Sequence, residues 1–94
     1  MEIKHEEKQS KGAFYIEEGG KRLGEMTYSM AGPARMIIDH TEVSEALKGK
    51  GAGKQFVTAA VEHARKNDIK ILPLCPFAKS VFDRVKEFGD VLDR

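Results

Sequence analysis

One eight-residue stretch in mid-chain has the composition of an anion site: Leu47-Lys48-Gly49-Lys50-Gly51-Ala52-Gly53-Lys54. Glycine lets backbone N–H groups turn toward a ligand with no Cβ in the way. A helix-type apolar pattern follows at once, and a helix start adds unpaired N–H donors and the positive end of its dipole. Together these features hold anions, phosphate most often. Lys48, Lys50 and Lys54 surround the stretch with positive charge. The plainer alternative is a flexible basic turn ahead of a helix. Two other groups flank the loop. Asp39-His40-Thr41-Glu42 is the polar end of an apolar run, and Cys75, the single cysteine, closes a second apolar run.

The elements that must position these residues can be read from periodicity. Residues 1–11 are polar and charged; Ile3 could start a short strand, but most of the segment reads as a loose end. Residues 13–18 and 21–30 are strand-like, and Gly19-Gly20 between them predicts a tight antiparallel hairpin. Residues 35–43 form a third strand, apolar first and so central and buried on both faces, then polar where it would deliver side chains to a cleft. Ala52 to Lys66 predicts a helix with Phe56, Val57, Ala60, Val61 and Ala64 on one stripe. Residues 69–75 form a fourth strand. Strand, helix and strand in this order make a right-handed βαβ unit with strands three and four parallel. Pro73 has no N–H for a ladder bond, so the two strands are expected to part near it and open a crevice. A second helix is expected over 78–88, with Val81, Phe82, Val85 and Phe88 on one face and Gly89 as its cap. Asp90-Val91-Leu92 leaves room for a scrap of strand.

Composition narrows the classes. The 94 residues predict one domain, residues 1–94. Apolar residues at 40% and charged residues at 33% describe a globular chain, not a disordered one. Sixteen basic and fifteen acidic side chains give a net charge of +1, which argues against a general nucleic-acid coat protein. No apolar run approaches the ~18 residues of a membrane span, and no signal peptide is visible. With one cysteine there is no intrachain disulfide, and a reducing, cytoplasmic setting is expected. His5, His40 and His63 are far apart in sequence and show no ligand spacing with Cys75, so no metal site is expected. His5 and His63 read as solvent-facing.

Two common nucleotide patterns fail at the loop. The P-loop needs Ser or Thr after Gly53-Lys54 and finds Gln55, and its first glycine falls on Lys48. The dinucleotide pattern loses its third glycine to Lys54 or Phe56. A third pattern fits. Lys48-Gly49-Lys50-Gly51-Ala52-Gly53 resembles the Arg/Gln-x-x-Gly-x-Gly/Ala loop of GNAT-superfamily acetyltransferases, with lysine in the first position. Asp39-His40-Thr41-Glu42-Val43 and Ile71-Leu72-Pro73-Leu74-Cys75-Pro76-Phe77 resemble the small YjdJ-type branch, over roughly residues 12–90.

The resemblance implies an α+β fold, a minimal acyl-coenzyme A acyltransferase with a mostly antiparallel sheet, a splayed parallel central pair and two helices. It implies acetyl-coenzyme A as cosubstrate. Backbone N–H groups of Gly49 to Lys54 would take the pyrophosphate, Glu42 and Val43 would pair with the pantetheine arm, and Phe77, Ala78 and Lys79 would flank it. An amine would attack the thioester, which calls for a base and an acid. The usual tyrosine acid is missing, because Tyr15 and Tyr28 both lie in the first hairpin. Cys75 is then the candidate acid or acylated nucleophile; its alternative role is a buried apolar cysteine. His40, or Glu42 through a water, is the candidate base. The Gly19-Gly20 link leaves no room for the helices that usually wall the acceptor site, which suits a bulky acceptor such as a protein amine. The competing function is a non-catalytic acyl-coenzyme A binding or sensing module. A monomer or weak homodimer is expected, with no nucleic-acid or membrane partner.

Overall fold

The computed structural model describes residues 2–93. Five strands form one sheet in sequence order: β1 (Lys4–Lys8), β2 (Lys11–Glu18), β3 (Lys21–Met30), β4 (Arg35–Val43) and β5 (Lys70–Pro73). The first four are antiparallel to one another, and β5 is parallel to β4. Helix α1 (Ala52–Asn67) crosses between β4 and β5, and α2 (Pro76–Arg84) follows β5. This is the mixed sheet with a parallel pair and two helices that was expected.

Gly19 and Gly20 both sit at positive φ, 59° and 78°, which gives the two-residue turn the twist a hairpin requires. The first strand is a departure. Residues 4–8, expected within a loose end, pair residue for residue with Lys11–Tyr15. The pairing becomes possible because Gln9 takes a left-handed φ of 59° and turns the chain in two residues.

One face of the sheet carries the core. Phe14, Ile16, Met26, Tyr28, Met36 and Ile38 meet Phe56, Val57, Ala60, Val61 and Ala64 of α1, all buried. Each fully buried large apolar side chain contributes ~1.5–3 kcal/mol, so this stripe drives the docking of α1. Among the described residues, no helix covers the other face. Ile37 is therefore only half-buried, although its run of apolar neighbours predicted burial on both faces.

Helix α2 is shorter than its apolar pattern predicted. It begins with Pro76 at its first position and ends at Arg84; Val85 leaves helical geometry, and residues Lys86–Val91 form a 3₁₀ turn. Arg65 accounts for the break. Its guanidinium bonds both carboxylate oxygens of Asp90 at 2.9 Å and the carbonyl of Glu87 at 2.7 Å, folding the tail back on α1. Gly89 lies inside that turn and caps nothing. Leu92 then makes a single parallel bridge to Ile71, the expected scrap of strand.

Candidate functional site

The parallel pair opens where Pro73 predicted. Its register runs from Arg35↔Lys70 to Ile38↔Pro73 and stops. The amides of Leu74 and Cys75 both reach the carbonyl of Ile38, at 3.1 and 3.2 Å, and β5 then turns out of the sheet. Beyond Ile38, β4 runs on to Val43 paired only with β3. A β-bulge sits at this point: the register passes from Tyr28↔Ile38 to Thr27↔His40 and leaves Asp39 unmatched. A bulge bends its strand and shifts the alternation of faces.

That shift decides which candidate residues meet. Thr41 pairs with Met26 and shares the helix-covered face; His40 and Glu42 pair with Thr27 and Glu25 and share the open face. His40 and Glu42 are exposed, while Thr41 and Val43 are half-buried. The Cys75 thiol donates to the Thr41 hydroxyl at 3.4 Å. The structure thus joins Cys75 to Thr41, a partner periodicity did not reveal, and puts His40 and Glu42 on the opposite side of β4.

Cys75 is not part of β5, as its apolar run predicted, but the cap residue ahead of α2. Burial raises its thiol pKa, but the hydrogen bond shared with the Thr41 hydroxyl and those with the backbone of Ala78, Phe77 and Thr41 outweigh this and hold it below the usual thiol value. Helix N-termini lower thiol pKa values generally.

The glycine loop lies at the same end of the sheet. A 3₁₀ turn (Glu45–Leu47) leads into it. Gly49 and Gly51 have φ of 77° and 71°, left-handed values that favour glycine, and Gly51 caps α1. The amide of Lys50 bonds Leu47 and that of Gln55 bonds Gly51; among the described residues, no backbone acceptor engages the amides of Gly49, Gly51, Ala52, Gly53 or Lys54. Lys50 and Lys54 are exposed, and Lys48 pairs with Glu45 at 3.1 Å. Phe77 closes the gap to α2. A Cβ on Gly53 would stand 2.5 Å from its ring, so glycine is what lets the two helix N-termini approach. The side chain of Ala78 is wholly buried, which leaves its amide, directed at the thiol, as its contribution. Lys79 is exposed and pairs with Asp83. Glu42 and Val43 border an open concavity of about 490 Å³ with Leu23, Gly24 and Ser44.

The histidines at the far end differ from expectation. His5 is exposed, as expected, and His63 is half-buried, but the two are not apart: their rings meet edge to face at 4.7 Å, and His5 stacks on Phe14 at 4.2 Å. Glu7 joins them, with one ligand atom from each of the three within 4.8 Å. The expectation that no metal-type cluster exists is therefore corrected; the fold closes what 58 residues of sequence separate.

A five-stranded mixed sheet, a splayed parallel pair and a glycine loop at the start of the crossover helix define the acyl-coenzyme A acyltransferase architecture of the GNAT type. The family model of GCN5-related N-acetyl-transferases matches residues 13–91, and the chain belongs to that family. A GCN5-like protein from Staphylococcus aureus, solved by NMR, is 40% identical, with 98% of this chain and 87% of that one covered and a TM-score of 0.74. Two more distant structures share the fold. The ribosomal-protein-alanine N-acetyltransferase of Brucella melitensis is 16% identical over 83% of this chain and 62% of its own, at a TM-score of 0.68. A predicted acetyltransferase from Clostridium acetobutylicum, solved with acetyl-CoA, is 14% identical over 79% of this chain and 55% of its own, at a TM-score of 0.62. The chain thus spans little more than half the length of these two. No curated protein matches the chain. Among the described residues, no helix is long and apolar enough to cross a membrane.

Proposed function

We propose that this protein transfers the acetyl group of acetyl-coenzyme A to a primary amine, as a small enzyme of the YjdJ-type branch. The observation that carries the reading is the set of backbone amides at Gly49, Gly51, Ala52, Gly53 and Lys54 with no backbone acceptor, at the mouth of the opened strand pair. Five donors at a helix N-terminus suit a pyrophosphate, with Lys48, Lys50 and Lys54 around it. The edge of β4 from Asp39 to Val43 lacks a β5 partner and suits the amides of a pantetheine arm, which would lie there as an added strand.

In this reading the thioester lies beside Cys75. The amine attacks the thioester carbonyl and gives up its proton to His40, or to Glu42 through a water; the tetrahedral intermediate then expels the coenzyme thiolate, which takes a proton from a separate acid. A thiol held below the ordinary pKa of ~8.5 transfers that proton downhill to an ordinary thiolate. We assign this to Cys75, with Thr41 orienting it. His40 and Glu42, on the open face, are then the residues that meet the incoming amine. Two-residue links join β1 to β2 and β2 to β3, which leaves the acceptor side unwalled and favours a bulky acceptor such as a protein amine. The single cysteine supports a reducing, cytoplasmic setting; a monomer or weak homodimer fits the small chain.

Calorimetric titration with coenzyme A, acetyl-coenzyme A and ATP tests the proposal. Saturable binding of both coenzyme A forms is expected, with ATP much weaker. Failure of either coenzyme A form to bind would sink it. Binding without thioester loss across a broad amine panel would instead identify a sensing module.

A further inference from the structure

At the end of the sheet remote from the glycine loop, β1 carries His5 and Glu7 on one face, two residues apart. His63 reaches them from α1, and one ligand atom from each lies within 4.8 Å of the others. Two imidazoles and a carboxylate are a donor set suited to zinc and similar divalent transition ions.

The surroundings hold this set in a ligand-ready form. Tyr28, whose ring is buried in the core, donates its hydroxyl hydrogen to Glu7 at 2.7 Å. Its oxygen must then accept from His5 Nε2, 2.5 Å away. In that arrangement the tautomer protonated at Nε2 keeps a lone pair on Nδ1. A hydrogen-bonded group behind a histidine and a carboxylate is the usual support of a metal ligand. Gly12 makes the arrangement possible. It pairs with both Glu7 and Tyr28, and a Cβ there would strike the Tyr28 ring, so only glycine lets the phenol cross to Glu7. The long contact that opposes binding, Asn67 Nδ2 to His63 Nδ1 at 3.4 Å, is weak.

We propose that His5, Glu7 and His63 bind one divalent transition ion, zinc in the first instance. Ligands ~2.1 Å from a tetrahedral ion stand about 3.4 Å apart, so the side chains close in by little more than an ångström. The fourth position faces an open concavity of about 570 Å³ bordered by Ser10, Met30 and Asn67, which has room for a water. The ion would clasp β1, the edge strand next to β2 and among the described residues bonded to no other, to helix α1. The proposal is independent of acetyl transfer.

Calorimetric titration of the untagged chain with zinc chloride is the test. One ion per chain is expected, with affinity lost on His5→Gln or His63→Gln. Tyr28→Phe keeps the ring and removes only the hydroxyl, and should weaken binding by ~10–100-fold. Circular dichroism checks that each variant folds, and Glu7→Gln supplies an exposed substitution that leaves the core untouched and also loses affinity. Amide exchange across residues 4–8 should slow when zinc is added. No saturable binding, an affinity that survives both histidine substitutions, loss of binding in Cys75→Ala, or unchanged exchange in β1 would each overturn the proposal.

Discussion

Substitution of Gly51 by alanine isolates the part played by the loop's backbone shape. Gly51 has φ of 71°, and an added Cβ would meet nothing within 4 Å. Steric collision is therefore excluded, and the whole effect is the strain of an L-residue in a left-handed conformation, ~1–2 kcal/mol. That strain must appear in one of two places. If the free loop keeps its shape, Gly51→Ala lowers stability and leaves coenzyme A affinity unchanged; for a domain of this size Tm falls by about 4–8 °C per kcal/mol. If the free loop relaxes, stability is spared, the Gly51 and Ala52 amides turn away, and binding must restore the strained shape. The dissociation constant for coenzyme A then rises by about 5–30-fold. Denaturant titration and calorimetry on the same sample measure both terms, and their sum should approach the strain. Gly51→Asn, which tolerates the left-handed region, should lower the sum. If Gly51→Ala leaves both stability and affinity unchanged, the left-handed cap has no role in presenting the amides.

Three further outcomes follow from the same contacts. Gly12→Ala should destabilise the fold by ~1–3 kcal/mol, because the Tyr28 ring and the Glu6 carbonyl stand where the new methyl must go; an unchanged urea midpoint would show that the ring moves freely. Cys75→Ala should retain coenzyme A binding and lose turnover, and the wild-type rate should fall as pH rises through the lowered Cys75 pKa because an acid must be protonated to act; the same pH profile in both proteins would remove Cys75 from the reaction. The Arg65 hydrogen bonds lower the Asp90 pKa, so the stability they lend is present above the ordinary carboxylate range and lost as pH falls through the lowered value. Asp90→Asn should flatten that acid limb in unfolding experiments, and an unaltered limb would assign it to other carboxylates.

Local pattern alone determined much of this protein. Gly19-Gly20 dictates a hairpin because two successive left-handed residues admit little else, and the α1 stripe dictates a buried helix face because its spacing is helical. Pro73 marks the parting of β4 and β5 because it lacks the N–H a longer ladder would use. The glycine loop was legible for the same reason: its shape depends on φ values that neighbouring residues cannot impose on other side chains.

Only the tertiary structure decided the rest, and in each case the cause is a contact between distant segments. The end of α2 at Arg84 depends on Arg65 gripping Glu87 and Asp90, which no helical periodicity contains. The separation of His40 and Glu42 from Cys75 depends on one unmatched residue, Asp39, which resets the alternation of faces along β4. The meeting of His5, Glu7 and His63 depends on the register of β1 against β2 and on a glycine that lets Tyr28 reach across. Sequence spacing carries chemistry along one element; register and bulges, which arise only when elements pair, determine which chemistries share a face.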